Sequence, residues 1–154
     1  NIRDYLEEYF RKGGINKQDK ILLHSDISYL WKNLKKLDFS LSVKDILDSL
    51  INYLGEKGTL IIPTFNFDFC SGKIYDIKNT KSQMGIFSEI ARVEAVKNRS
   101  WHPVYSFVLF GNIPIKELKK ENYSALGKEC LFNWITESDG KISIIDLPDQ
   151  KSMT

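Results

Sequence analysis

Short apolar segments alternate with amphipathic segments along this chain, and this alternation constrains its fold more than any other feature. The apolar segments predict strands at residues 20–25, 59–63, 106–111 and 141–147, and a helical pattern lies between each strand and the next. Parallel neighbours in a sheet need crossover connections, which are usually helices. The sequence therefore predicts an α/β fold with a mainly parallel central sheet and helices on both faces, in α/β/α layers.

The helical segments are marked by apolar spacing and by capping residues. Residues 2–12 carry an apolar stripe at helical spacing, and a second stripe follows Ser42, a predicted N-cap with Asp45 three residues later. Further helical patterns occupy residues 82–97, 113–120 and 129–137. By contrast, we expect a ligand-binding loop from Asp26 onward and a long polar and aromatic loop at residues 65–82.

Length and composition predict one soluble globular domain over residues 1–154. The chain has 154 residues, 42% hydrophobic and 27% charged, which suits one sizeable core and not two. Its 22 Lys and Arg against 20 Asp and Glu give no basic field that would attract nucleic acid or an anionic membrane. No apolar run approaches the ~20 residues of a membrane span, and the first residues are charged where a signal peptide would be apolar. We expect a cytoplasmic protein, and its oligomeric state stays open.

The few cysteine and histidine residues do not form a metal-binding pattern. Cys70 and Cys130 have no partner at the short spacing of a zinc knuckle or a redox pair, and His24 and His102 do not form a helical pair. We therefore expect free thiols and no metal cofactor.

Polar residues follow the first two predicted strands at the positions where each strand ends. The first strand runs into the segment "HSDIS", with His24, Ser25 and Ser28, and the second runs into Pro63 and Thr64. In an open α/β sheet, ligands bind beyond the carboxyl ends of the strands, where hydroxyl and backbone N–H groups can hold a phosphate or a thioester carbonyl. The alternative is a structural histidine at a strand end, followed by serines that cap a turn.

The segment "RSWHPVYSF", residues 99–107, is the sharpest local feature of the sequence. Arg99 has a planar fork that suits bidentate recognition of a phosphate, and Ser100 adds a hydroxyl. Pro103 favours an extended conformation of the residue before it, which would fix the direction of His102. We predict that Arg99 contacts a phosphate group of a cofactor. The alternative is a surface arginine and a proline at the start of a strand.

Five segments of this chain, in this order, resemble the aminoglycoside 3-N-acetyltransferase family: "LLHSDIS", "GTLIIPTF", "NTKSQMGIFSEIAR", "RSWHPVYSFVLFG" and "DGKISIIDL". The resemblance implies transfer of an acetyl group from acetyl-CoA to an amine of an aminoglycoside or an amino sugar, without a metal. It also implies that the CoA-binding wall consists of His24, Ser25, Ser28, Pro63, Thr64, Arg99, Ser100, His102, Ser106 and Phe107.

The chain departs from the family pattern in two places. Many members have a second histidine where this chain has Tyr105. The expected catalytic base of the family lies in a Thr-x-x-His-x-x-Glu segment after the strand that corresponds to residues 141–147, and Thr154 would be the first residue of that segment. We therefore expect a chain that lacks the C-terminal part of the family, with its base beyond Thr154. His102 is a secondary candidate for the base, and His24 a further histidine to consider.

Alternatives to a complete acetyltransferase follow from these departures. One is a non-catalytic CoA-binding fragment or module without the base. A weaker one is a serine hydrolase that uses Ser25 or Ser28, although the chain has no Gly-x-Ser-x-Gly segment. The acceptor also stays open, because acidic residues that would suit a polycation alternate with basic ones: Asp68, Asp76 and Glu89 with Lys73, Lys78 and Lys81.

Overall fold

The structure, a computed structural model, describes residues 1–121 and 123–146. Its sheet contains β1 (Lys20–Ser25), β2 (Thr59–Pro63), β3 (Phe107–Gly111) and β4 (Lys141–Ile145), in the spatial order β3-β2-β1-β4. The helices are α1 (Ile2–Lys12), α2 (Ser28–Lys36), α3 (Val43–Leu54), α4 (Ile86–Glu94), α5 (Ile115–Leu118) and α6 (Leu131–Glu137). Two short 3₁₀ turns lie at Asp68–Ser71 and Val96–Asn98.

Helices cover both faces of the sheet, and alternate strand residues point to opposite sides, as the pleat requires. On one face, Ile21, Leu23 and Ile62 pack with apolar residues of α1, α2, α3 and α4. On the other face, Leu22 and Ile61 pack with residues of α5 and α6. The predicted α/β fold is confirmed.

The sheet is mostly parallel, with one antiparallel pair at its edge. β1 pairs in parallel with both β2 and β4, whereas β2 and β3 run antiparallel, with Pro63 opposite Phe107. The physical reason lies just before β3. Arg99 forms an antiparallel bridge with Val108 of β3. Because β3 is itself antiparallel to β2, the chain at Arg99 runs parallel to β2 and then reverses through residues 101–106. The alternation of helices and strands did not reveal this reversal.

Local capping signals set the start of α3 as predicted. The backbone N–H of Asp45 donates to the Ser42 hydroxyl at 3.1 Å, and the Ser42 N–H donates to the Asp45 carboxylate at 2.7 Å. α4 begins at Ile86 rather than at residue 82, after Gly85 with φ 100°. That backbone angle lies in the region that favours glycine and separates the preceding loop from the helix.

α2 stands where the sequence analysis expected a ligand-binding loop. Its first turn takes acceptors from outside the helix: the Asp26 carboxylate accepts the Ser28 N–H at 3.0 Å, and the Asp146 carboxylate accepts the Leu30 N–H at 2.7 Å. Asp146 has φ 57° and also accepts the Tyr9 hydroxyl at 3.3 Å. Burial, followed by the charge of Asp146, raises the pKa of Tyr9 to about 12.

Two findings concern the ends of the sequence and membrane spans. The fourth strand ends at Ile145, and the predicted positions Leu147 and Thr154 lie outside the described residues. In residues 1–121 and 123–146, none of the helices has both the length and the apolar character needed to cross a bilayer.

Candidate functional site

The three segments singled out in the sequence meet along one edge of the sheet. His24 and Ser25 end β1, Pro63 ends β2 beside it, and the turn of residues 101–106 leads into β3, which pairs with β2. This edge is where the parallel strands have their carboxyl ends, the usual position of a ligand site in an α/β sheet.

His24 lies at the bottom of a small cavity at this edge. The side chain is only 4% exposed, and its Nε2 is buried without a hydrogen-bond partner among the described residues. Burial lowers the pKa of His24, which favours a neutral imidazole. The cavity has a volume of about 40 Å³, above the roughly 10–15 Å³ that one water needs, and it is lined by Leu23, His24, Ser25, Ile62, Pro63, Met84 and Ser88.

Two of these lining residues, Met84 and Ser88, were missed by the sequence analysis. The Ser88 hydroxyl donates to the carbonyl of Pro63, and the Ser82 and Ser88 hydroxyls lie 2.6 Å apart. Ser88 lies on α4, and no local motif relates it to strands that are more than twenty positions away in the sequence. The register of α4 against the sheet brings it to the cavity.

Ser25 and Ser28, predicted as neighbours on one loop, have different surroundings. Ser25 is half-buried and lines the cavity beside His24. Ser28 is exposed in the first turn of α2, and its hydroxyl and backbone N–H both bond to the Asp26 carboxylate. The structure therefore does not bring Ser28 to the cavity.

Thr64, Arg99 and Ser106 form a buried polar cluster at the end of β2. The Thr64 and Ser106 hydroxyls lie 2.8 Å apart, and Ser106 also donates to the Thr64 carbonyl at 3.0 Å. The Arg99 Nε–H donates to the Ser106 hydroxyl at 3.1 Å. Thr64 and Ser106 are 0% exposed and Arg99 is 2% exposed, so this cluster is closed to solvent.

The remaining donors of Arg99 bind backbone carbonyls of the loop that follows β2. They donate to Thr64 O at 3.1 Å, to Ile77 O at 3.1 Å and to Thr80 O at 2.6 Å. Four of the five N–H donors of this guanidinium are bound inside the protein, so this geometry does not support the predicted direct contact with a phosphate, which stays a prediction. Burial lowers the pKa of Arg99, and Arg99 fixes the long loop to the sheet edge.

Ser100 and Phe107 join the same edge as structural neighbours. The Ser100 hydroxyl accepts the Phe107 N–H at 2.9 Å, and the Ser100 carbonyl accepts the Tyr75 hydroxyl at 3.1 Å. The Phe107 ring packs edge-on against Phe65 and Phe132, with centroids 5.2 and 5.0 Å away. Tyr75 is a further residue of this edge that no sequence signal indicated.

His102 is a half-buried residue of the turn that precedes β3. Its Nδ1 accepts the backbone N–H groups of Val104 at 3.2 Å and Tyr105 at 2.9 Å. It lines a narrow cleft of about 20 Å³, together with Ser100 and Phe107, and also an open cavity of about 820 Å³; Trp101 lines both as well. Burial lowers the pKa of His102.

The acidic residues considered for a polycationic acceptor are all engaged. Asp68 pairs with Lys73 at 3.1 Å, and Glu89 pairs with the buried Arg92 at 2.7 Å. The Asp76 carboxylate accepts hydrogen bonds within its own loop, from the side chain of Asn79 and from backbone N–H groups. These hydrogen bonds lower the pKa of Asp76, and that from Arg92 lowers the pKa of Glu89.

The described part of the chain contains no group of three or more His, Cys, Asp and Glu residues that could hold a metal ion. Cys70 is exposed and Cys130 is buried, and both thiols are free.

Several solved structures share this fold. The YokD protein from Bacillus subtilis is 22% identical, with a TM-score of 0.68 and coverage of 83% of this chain and 58% of that one. Aminoglycoside acetyltransferase AAC(3)-Xa is 16% identical, with a TM-score of 0.77 and coverage of 98% and 58%. AAC-IIIb, in a binary complex with CoASH, is 16% identical, with a TM-score of 0.71 and coverage of 92% and 58%.

This chain thus spans less than two thirds of the length of each of these proteins. A comparison with curated proteins found no match. The profile of the family described as aminoglycoside 3-N-acetyltransferase matches residues 22–154, which is most of the chain. The chain belongs to the aminoglycoside 3-N-acetyltransferase family.

Proposed function

We propose that the protein containing this chain transfers an acetyl group from acetyl-CoA to an amine of a small-molecule acceptor. Family membership supports N-acetyl transfer, and the complex of AAC-IIIb with CoASH supports coenzyme A as the acyl carrier. In a direct transfer, the unprotonated amine attacks the thioester carbonyl. A C–N bond forms, the C–S bond breaks, and the coenzyme leaves as a thiol.

The observation that carries this proposal is the cavity at the carboxyl end of β1, where a buried histidine nitrogen has no partner. Buried polar atoms are nearly always hydrogen-bonded, so His24 Nε2 marks a place where a ligand atom or a water would complete the site. We propose that the cofactor passes along this edge, beside His24, Ser25 and Pro63.

The other predicted wall residues lie in the closed cluster at the end of β2 or along the narrow cleft beside His102. The closed cluster of Thr64, Arg99 and Ser106 holds the end of β2 and the following loop in place. Ser100 and Phe107, together with His102, line the narrow cleft beside α5 and α6. In this proposal, the closed cluster does not touch the cofactor directly.

Neither histidine has the geometry of the base that deprotonates the amine. The Nδ1 of His102 accepts two backbone hydrogen bonds, so the neutral ring has its proton on Nε2 and no free lone pair. His24 is almost fully enclosed. We propose that the base is the histidine of the Thr-x-x-His-x-x-Glu segment that the family resemblance implies, beyond Thr154 in the full-length protein.

For the acceptor, the family description favours an aminoglycoside, and one observation favours a singly charged amino sugar as a second candidate. Asp68, Asp76 and Glu89 are each neutralised by a local cation or by several N–H donors. A polycation needs unpaired carboxylates, and these three do not supply them. Full-length protein assayed with an aminoglycoside and with glucosamine decides between the candidates by the ratio of their kcat/KM values.

The acyl-transfer experiment measures thiol release from acetyl-CoA by the full-length protein. We expect release only when an amine acceptor is present, and none with the same acceptor after its amine has been acetylated. Release with hydroxyl acceptors alone would overturn the proposal. Calorimetric binding of CoA without turnover would instead support a non-catalytic CoA-binding module.

The serine hydrolase alternative has little support in the geometry. Among the described residues, neither the Ser25 nor the Ser28 hydroxyl bonds to an imidazole, so no activated nucleophile is formed. Labelling with a fluorophosphonate tests it: we expect no covalent adduct.

A further inference from the structure

The side chain of His102, which can be protonated, accepts hydrogen bonds from the backbone of its own turn, residues 101–106. His102 Nδ1 accepts two backbone N–H groups, from Val104 at 3.2 Å and from Tyr105 at 2.9 Å. A nitrogen that accepts these hydrogen bonds carries no proton. A proton added to His102 at Nδ1 would face both donors and break both bonds.

The ends of this turn are fixed, but its exposed side is not held by other hydrogen bonds of the described residues. At one end, the Ser100 N–H donates to Phe107 O at 2.9 Å; at the other, Ser106 O and Val104 O accept backbone N–H groups of the segment after β2 at 2.8 and 3.1 Å. Between them, Trp101 is 54% exposed and lines the open cavity. The His102 ring therefore sets the shape of the turn toward the cavity.

We propose that His102 is a positioning residue: its neutral form holds the turn of residues 101–106 in the shape that binds coenzyme A, and protonation at Nδ1 releases that shape. This inference rests on the proposed function, because it concerns the binding of the same cofactor. It assigns His102 a role distinct from that of the base.

The charged groups that face His102 carry one more negative than positive charge: Glu117, Glu121 and Glu129 against Lys119 and Lys120. Across the narrow cleft, Glu117 and Glu129 both pair with Lys120, at 2.8 and 3.0 Å. The open cavity is lined by one cation, Lys119, and one anion, Glu121. Burial of the ring acts in the opposite sense and lowers the pKa of His102. The titratable or charged residues that line the two cavities with it are Tyr105, Glu117, Lys119, Lys120, Glu121, Tyr123, Glu129 and Cys130.

The test compares CoA binding by the full-length wild type, His102→Asn and His102→Leu at pH 7.5 and pH 5.5. An asparagine Oδ1 accepts N–H groups two residues further on, as in Asx turns, but it does not titrate. Loss of both hydrogen bonds should weaken binding about tenfold. We therefore expect His102→Leu to bind about tenfold more weakly at both pH values, and His102→Asn to match the wild type at pH 7.5.

The decisive comparison is between wild type and His102→Asn at the lower pH. Phosphate groups of CoA and His24 titrate in both proteins, so their effects cancel in the ratio of the two dissociation constants. We expect this ratio to grow several-fold from pH 7.5 to pH 5.5, with the wild type weaker. A constant ratio, with CoA bound by both, would overturn the role of His102 and leave the proposed function standing.

A second measurement does not depend on the cofactor. In the full-length protein, ¹⁵N NMR of the wild type and of His102→Asn identifies the His102 ring, because its signals are absent from the spectrum of the variant. We expect His102 to have an unprotonated Nδ1 and a protonated Nε2 at neutral pH. A protonated Nδ1 would overturn the inference, and an absence of CoA binding in all proteins at both pH values would overturn the proposed function together with it.

Discussion

Arg99 and His24 are both buried polar side chains near the end of β2, and they differ in whether their polar atoms are paired. Arg99 is 2% exposed and donates to three carbonyls and one hydroxyl. His24 is 4% exposed, and its Nε2 has no partner in the described part of the chain. A satisfied buried group stabilises the fold, whereas an unsatisfied one costs free energy unless a ligand completes it. The comparison teaches that Arg99, the most distinctive residue of the motif, has a structural role in these contacts, whereas His24 keeps a polar atom that the proposed ligand could pair.

The largest effect is expected from Arg99→Met, which keeps the side-chain volume but removes the donors. The carbonyls of Thr64, Ile77 and Thr80 would lose buried partners, so we expect the free energy of unfolding to fall by about 3–5 kcal/mol. Urea denaturation measures it. The matched control is Arg11→Met, because Arg11 pairs with Glu8 on an exposed helix surface and should change stability little. A loss for Arg99→Met no larger than for this control would contradict the structural role.

Replacement of the two hydroxyls in the same cluster should have the next largest effect. We expect Thr64→Val and Ser106→Ala each to lower the free energy of unfolding by about 1–3 kcal/mol, because each leaves a buried partner without its hydrogen bond. The two hydroxyls lie 2.8 Å apart, so the double variant should lose less than the sum of the single losses. Strict additivity in urea denaturation would show that the two side chains do not act as one cluster.

His24→Leu should separate stability from binding. Because Nε2 has no partner to lose, we expect the free energy of unfolding to change by less than about 1 kcal/mol, or to rise. CoA affinity, measured by calorimetry, should fall about tenfold if the cofactor uses this nitrogen. A variant that is strongly destabilised but binds CoA normally would reverse the assignment of the two regions.

The pH dependence of stability should follow the same comparison with a smaller effect. Burial lowers the pKa of both His24 and His102 in the folded state. The unfolded chain therefore binds protons first as the pH falls. The stability that the neutral rings contribute is present above pH ~6.5 and is lost as the pH falls through the folded pKa values. Denaturation of wild type and His24→Leu between pH 5 and 8 should show a shallower decline in the variant, and equal slopes would exclude His24 as a source.

The smallest effect is expected at Ser28, which the sequence placed in the cofactor wall and the structure places on α2. Its backbone N–H keeps the bond to Asp26 when the hydroxyl is removed. Ser28→Ala should change the free energy of unfolding by about 0.5 kcal/mol or less and leave CoA affinity unchanged. A loss of affinity as large as that of His24→Leu would return Ser28 to the site.

The sequence predicted those features of the fold that depend on local signals. Two of these signals involve residues that are close in the sequence: the capping pair Ser42 and Asp45, and the apolar spacing of α1 and α3. The structure confirms both. α2 escaped prediction because part of its N-terminal hydrogen bonding comes from Asp146, which lies 116 positions from Leu30. The antiparallel direction of β3 was not predicted for a related reason. The helix between β2 and β3 favours a parallel pair, but a turn of a few residues then reverses the chain.

The sequence predicted that the candidate residues lie together, but not which contacts they make. Strand ends and a distinctive segment indicated one edge of the sheet, and the structure brings them together there, because carboxyl ends of parallel strands lie together in any such sheet. Whether an arginine faces solvent or the interior depends on where other loops pass, and the carbonyls of Ile77 and Thr80 that Arg99 binds carry no sequence signature. Ser88 reached the cavity in the same way, through the packing of α4.

The contact of Asp146 with the start of α2 also bears on the order in which the molecule assembles during synthesis. The carboxylate that accepts the Leu30 N–H, and the Tyr9 hydroxyl beside it, join positions separated by 116 and 137 residues. A ribosome releases the chain from its N-terminus, so α1, β1 and β2 emerge well before the residue that completes the first turn of α2. β4 adds to the sheet beside β1 when the same segment emerges. One edge of β1 therefore stays uncovered until residues 141–146 have been made, and closure of that edge and completion of the first turn of α2 depend on the same segment.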